Sequence, residues 1–431
     1  MTADRSVAVL AHGLGGSTDL PIPLSYALIG AAWALTFTFA VVAVAWRRPR
    51  FDPDKPGRAL PRWVTTVVDA PATRWVVAIA ALLFAVWVAV AAVFGPQGPD
   101  NPLPGVFYVL LWVGLVALSL AVGPVWRAIS PVRTVHRLLG QWSLGLRYPE
   151  WAGYWPAAVG LFAFVWLELA SPDPGSLGAI KVWLLVYLVV TLAGALCCGA
   201  RWCARADPFE VYSVVASRLS VLRRNRDGRI AIGNPFDHLP SLPVRAGTLA
   251  VLAVLLGSTA FDSFSATPQW RGFVDDHTDS VATATLLRTA GLVVFAGVVA
   301  GTFWLAARTA GGVDAQRRRE LPGLMAHSLI PIVIGYVFAH YLTYLVERGQ
   351  QTVIQLFSLG TDVHYVLSMH PSLLASIKVS CVVAGHIAAV IAAHDRALRL
   401  LPAGHQLTGQ LAMMLVMVGY TFTGLYLLFG G

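Results

Sequence analysis

Two apolar stretches of this chain carry groups that can do acid–base or metal chemistry. "AHSLIPIVIGYVFAHYLTYLVERG", residues 326–349, holds His327, Pro331 and His340, and "PSLLASIKVSCVVAGHIAAVIAAHDRAL", residues 371–398, holds Lys378, His386, His394 and Asp395. Imidazole serves as a base, a proton relay or a transition-metal ligand. Carboxylates stand at the ends of two further apolar stretches, Glu168 and Asp262, and His12 and Asp19 precede the first. This set could activate water through a histidine base or a His/Asp-bound divalent metal. In that reading His340, Asp262, His12 and Asp19 are outer ligands or bases. Lys378 or Tyr336 stabilises negative charge, and His327, His386 and His394 are further metal-ligand candidates. The metal's identity stays open.

Helical spacing orders these residues. Tyr336, His340, Tyr344 and Glu347 follow at intervals of four, four and three, which places them on one stripe. His327 falls on another face, about 220° around. Pro331 removes the amide that would bond the carbonyl of His327, predicting a bend and a free carbonyl there. No G-x-S-x-G, H-E-x-x-H or Walker sequence is present. The cysteines Cys197, Cys198 and Cys203 in "CCGARWC" read as a small-residue helix end.

The elements that carry these groups must lie in lipid. The 431 residues are 57% hydrophobic and 12% charged, about half the charge of a soluble domain. Ten apolar runs approach the roughly 20 residues a membrane helix needs, the fourth being short, at about 24–46, 75–95, 104–125, 154–170, 176–199, 243–261, 281–306, 322–346, 372–395 and 407–429. Loops 47–74, 126–153, 200–245, 307–321 and 396–406 carry 7, 4, 8, 4 and 2 Lys and Arg, 25 of the chain's 31. Positive residues mark the cytoplasmic side, so this alternation predicts an all-α polytopic membrane bundle of ten helices with both termini extracytoplasmic, in the plasma (inner) membrane. The net charge of +9 is then an orientation signal that also attracts anionic lipid, and it implies no nucleic-acid partner.

On this topology residues 1–23 form an extracytoplasmic segment and 24–429 a single transmembrane domain. "VLA" before His12 faintly matches a signal-peptidase site, but the apolar run ahead of it is short. Residues 126–153 and 200–242 are cytoplasmic loops, with 206–222 expected as an amphipathic surface helix. The two loops share a Gly, a Trp three residues on and a Pro after it, a weak internal repeat. Gly297 and Gly301 are expected at a close helix contact, and Trp46, Trp112, Trp126, Trp155 and Trp166 as interfacial anchors. Counted along the helices, His327 lies about 10 Å to the cytoplasmic side of the midplane and His340 about 9 Å to the outer side. Lys378 is level with His340, His386 is just inside the midplane, and His394 is at the inner surface. Two polar layers result, the outer one including Glu168 and Asp262.

"HGLGGSTDLPIP", "STAFDSFSATPQW", "GYVFAHYLTYL" and "GHIAAVIAAHDRAL" resemble a family of bacterial polytopic membrane proteins, some of which are named fenitrothion hydrolase. The resemblance covers nearly the whole chain. It implies cleavage of an apolar organophosphorus triester, and the matched segments contain His12, Asp19, Asp262, His340, His386, His394 and Asp395. A transporter or metal-handling protein (copper, iron or zinc) is the alternative, with the two layers as stations across the bilayer. A haem- or quinone-linked respiratory component is a third reading. The expected partners are membrane lipid and a small apolar substrate or a metal ion.

Overall fold

The computed structural model describes residues 19–430. Among them, ten helical segments are long and apolar enough to cross a membrane: spans 1–10 at Leu24–Ala45, Pro71–Phe94, Leu103–Val122, Glu150–Leu169, Leu177–Cys198, Thr248–Ser265, Val281–Arg308, Ala315–Phe357, Pro371–Leu400 and Thr408–Phe429. The chain is an all-α, multi-pass membrane protein. A helix satisfies its own backbone, which lipid requires. Large apolar side chains such as Trp33, Phe37, Leu83, Phe94, Leu185 and Val293 are exposed on the outside of the bundle, as a lipid-facing belt demands.

The spans are not equivalent. In span 8, 72% of the most apolar window is buried and in span 6, 67%, against 17% in span 2 and 22% in span 5. Spans 6 and 8 therefore form the centre, and their polar residues face protein. Span 6 packs on spans 4, 7 and 8, and span 8 packs most extensively on span 9.

Glycines set two of these contacts. A Cβ on Gly385 of span 9 would sit 2.6 Å from the carbonyl oxygen of Pro331, and one on Gly335 of span 8 would sit 2.6 Å from that of Cys381. The two backbones touch there, which only glycine permits. Gly257 of span 6 likewise meets Ala296 of span 7. The expected contact at Gly297 and Gly301 does not form, since both face open space.

Span 8 is broken. Its first helix, Ala315–Met325, passes through a 3₁₀ turn, Ala326–Leu329, into a second helix, Ile330–Thr343, with Pro331 in the first turn, where its missing amide costs little. The predicted interruption is present, but the carbonyl of His327 is not free, because the 3₁₀ turn supplies the amide of Ile330 to it. A π-helical turn, Tyr344–Arg348, follows and packs on the π-helical stretch Val106–Gly114 of span 3.

The Arg-rich end is more structured than expected. Strands β1 (Arg58–Ala59), β2 (Leu222–Arg224) and β3 (Ile230–Ile232) form an antiparallel sheet in the order β1-β3-β2, with Ala59 and Arg223 both opposite Ala231. Arg62–Asp69 is an exposed amphipathic helix. The helix Pro208–Ser217 overturns the surface assignment, because every one of its residues is buried. Phe209 and Tyr212 join Trp112, Phe164, Trp183 and Tyr187 in one aromatic cluster, Tyr212 and Trp112 having ring centroids 4.7 Å apart. Trp112 is thus core rather than an interfacial anchor. Glu210, fully buried, is neutralised by Arg133 at 2.5 Å and Arg127 at 3.0 Å.

The weak repeat has a structural counterpart. Spans 3 and 5 both run into glycines with positive φ, Gly123 and Gly199. A short helix then carries Trp126 or Trp202, and a capping side chain, Ser130 or Asp207, starts the next helix ahead of a proline.

Candidate functional site: a buried His–Asp pair between spans 6 and 8

Asp262 sits one turn from the end of span 6, and His340 late in the second helix of span 8. His340 Nε2 lies 2.8 Å from Asp262 Oδ2. The Tyr341 hydroxyl donates to the same oxygen at 2.9 Å, and Ser263 Oγ is 3.3 Å from His340 Nδ1. Asp262, Ser263, His340 and Tyr341 are all at most 4% exposed. A carboxylate this deep persists only with partners. Here the phenol donates a hydrogen bond, while His340 Nε2 stands at ion-pair distance without hydrogen-bond geometry. Glu168, from the end of span 4, lies within electrostatic reach of Asp262, Tyr341 and Tyr344, and its Oε2 is buried without a hydrogen-bond partner. Glu168 and Tyr344 thus lie within electrostatic range of the Asp262–His340–Tyr341 cluster, outside contact range for a shared metal.

The other candidates distribute differently. Tyr336 turns away from His340, its hydroxyl reaching the carbonyl of Tyr420 at 3.4 Å while its ring meets the His386 ring edge-on at 5.9 Å. Glu347 accepts from the amides of Leu367 and Ser368 and from the Ser368 hydroxyl. The stripe of four polar residues on span 8 therefore opens onto three environments, not one. Lys378 is buried, and Asp19 lies within its electrostatic reach.

His327 and His386 are buried at 3% and 0% exposure. Each spends Nδ1 on its own helix, on the carbonyls of Leu324 and Val382, and neither Nε2 has a hydrogen-bond partner. His394 and Asp395 serve architecture. His394 bridges Gln410 and the carbonyl of Trp46, both at 3.0 Å, while Asp395 accepts from Trp46 Nε1 and from the amides of Arg50 and Phe51. Together they tie the loop after span 1 to span 9.

The described histidines His327, His340, His386 and His394 thus each have their own surroundings, and His12 lies outside the described residues. Among the described residues no three His, Cys, Asp or Glu side chains converge at metal-binding range. A catalytic divalent ion takes about three protein ligands, and His340 with Asp262 supplies two. The described donors do not fit such an ion, so no chemistry is routed through one. Ser263 and Tyr341 have no periodic or motif signal of their own in the sequence, although each is adjacent to a candidate residue. Comparison of the chain with protein-family models, with curated proteins and with solved structures finds no match.

Proposed function

We propose that the protein is a proton-coupled transporter of a small apolar solute, with Asp262 and His340 as its proton-exchanging pair. The observation that carries this reading is the presence of buried ionisable side chains at two depths on the same pair of spans. His340 and His327 are separated by about 20 Å along span 8, and Lys378 and His386 by about 12 Å along span 9. A hydrolase needs one water-accessible site, whereas transport needs stations at both depths. The 3₁₀ turn Ala326–Leu329 between the two α-helices of span 8 is a place for the span to bend. An apolar contact region between spans 1, 7, 8, 9 and 10, with free space of only about 30 Å³ in this conformation, would have to widen to pass a solute. Met325, Met413, Met414 and Met417, four of the chain's six methionines, line it with Phe39 and Val390, and thioether side chains adapt to varied guests. The loop charges orient the molecule in the plasma membrane with both termini outside, Asp262–His340 toward the outer face and His327 toward the cytoplasm.

The test is proton flux into liposomes of purified protein with an entrapped pH dye. Wild type should acidify the lumen under an imposed gradient, faster with an uncharged apolar solute such as nitrobenzene present. Asp262→Asn and His340→Gln should reduce the flux at least tenfold, and chelators should leave it unchanged. Flux no greater than that of empty liposomes would defeat the reading. The purified protein should be colourless, and a haem spectrum would favour the respiratory alternative.

One observation favours hydrolysis as a second reading: His340 contacts Asp262 through one ring nitrogen and Ser263 through the other. With the resemblance to fenitrothion hydrolases, this supports His340 as a general base. With Ser263 turned away, His340 Nδ1 would take a proton from water, whose oxygen attacks phosphorus as the P–O bond to the phenol breaks. The products are a phenolate and a dialkyl thiophosphate. Fenitrothion turnover lost in His340→Gln supports this, and no turnover by wild type removes it.

A further inference from the structure

Away from the His–Asp pair, the Arg-rich end holds two arginines beside a histidine, without matching carboxylates. Arg218 follows the buried helix Pro208–Ser217, Arg223 lies in β2, and His238 and Ser241 lie in the segment leading to span 6. Arg218 Nη1 sits 3.0 Å from His238 Nε2 and donates to Ser241 Oγ at 2.7 Å. Arg218 and Arg223 both act electrostatically on His238. Arg223 is only 7% exposed. Its Nη2 donates to the carbonyl of Lys55, but its Nε and Nη1 have no partner, nor does Arg218 Nε.

Asp237, the acidic residue adjacent in sequence, is committed elsewhere. Its Oδ1 receives Lys55 Nζ at 3.0 Å and the amide of Asp52 at 2.9 Å. By contrast the neighbouring Arg224 is exposed and doubly bonded to Asp69 at 2.7 and 2.8 Å. Arg224 is thus neutralised, whereas the half-buried Arg218 and the buried Arg223 keep unused N–H donors. Like charges drawn together with open donors are the recognition chemistry of a multivalent oxyanion. Gly233 lets the Arg223 guanidinium pack against the backbone, since a Cβ there would lie 2.6 Å from Arg223 Nε.

We propose that Arg218, Arg223 and His238, with Ser241, form a binding site for a phosphate-class anion at the Arg-rich end of the bundle. The anion is either the phosphodiester of an anionic lipid headgroup or inorganic phosphate. The exposed Val221, Ile232 and Val244 around the sheet place the site beside an apolar surface that a lipid's chains could cover. The site is independent of the transport reading and stands if that reading fails.

Two arms distinguish the sources. In the first, protein in neutral detergent is dialysed to equilibrium against radiolabelled inorganic phosphate. In the second, protein is reconstituted in nanodiscs of phosphatidylcholine with or without phosphatidylglycerol, and retained lipid is read by native mass spectrometry. Saturable binding is expected in at least one arm. Arg223→Gln and His238→Gln should weaken it at least tenfold, while Arg224→Gln changes it less than twofold. Should Arg223→Gln fail to fold, His238→Gln and wild type decide. No saturable binding by wild type in either arm, or equal loss in Arg224→Gln, overturns the proposal.

Discussion

Substituting Gly385 by alanine probes the contact that holds spans 8 and 9 in register. The new Cβ would lie 2.6 Å from the carbonyl oxygen of Pro331, 3.3 Å from its carbon and 3.4 Å from the Cα of Gly335. Even favourable carbon–oxygen contacts keep about 3.3 Å or more, and the obstructing atoms are backbone, so no rotamer change relieves the clash. The helices must part by roughly half an ångström or more at the crossing, a strain typical of overpacked cores at about 1–3 kcal/mol. Gly419→Ala is the control. Its Cβ meets nothing within 4 Å and it lies within the last helix, so helix propensity should stabilise it by up to about 1 kcal/mol. Thermal unfolding in one detergent, by intrinsic tryptophan fluorescence, compares the three proteins. Gly385→Ala should melt below wild type and Gly419→Ala at or above it. Because His386 is the next residue, Gly385→Ala should also lower proton flux per folded molecule. Equal melting temperatures for wild type and Gly385→Ala would refute the close approach.

At the Arg-rich end, burial, then the Arg218 and Arg223 cations, push His238 down to about 4 from an ordinary 6.5. A depressed histidine stabilises the fold above pH 6.5, and that contribution is lost as pH falls toward 4. The loss is up to about 3 kcal/mol, since each tenfold change in proton affinity corresponds to about 1.4 kcal/mol. In phosphate-free detergent, melting curves from pH 7 to 4 should show it in wild type and not in His238→Gln. Glu210→Ala strands Arg133 beside a buried helix and should cost about 3 kcal/mol or more, read as a lower melting temperature. Asp395→Ala removes the acceptor shared by Trp46, Arg50 and Phe51, so protease cleavage in the 46–51 segment should accelerate while proton flux changes little.

How far the sequence can be read depends on the signal. Lipid imposes length, apolarity and loop charge at once, so all ten spans are legible, and Pro331 correctly flags the interruption in span 8. What periodicity cannot supply is which faces meet. Tyr336, His340 and Glu347 share a stripe on an ideal helix, yet the π turn at Tyr344–Arg348 and the partners Gly424, Asp262 and Ser368 draw them apart. His394 and Asp395 look like ligands from their types, but a long-range loop from residues 46–51 satisfies them. The helix Pro208–Ser217 misleads for a related reason, because its polar residues Glu210, Ser213 and Ser217 are matched by buried partners rather than by water. His340 and Asp262 are both among the sequence candidates. Tyr341 and Ser263 are not, because an adjacent position carries no periodic signal.

Infrared difference spectroscopy between pH 5 and pH 8 examines the Asp262–His340 pair most directly. A proton-exchanging pair predicts a protonated-carboxyl band in wild type that disappears in Asp262→Asn and shifts in His340→Gln. A spectrum identical in all three proteins would contradict it.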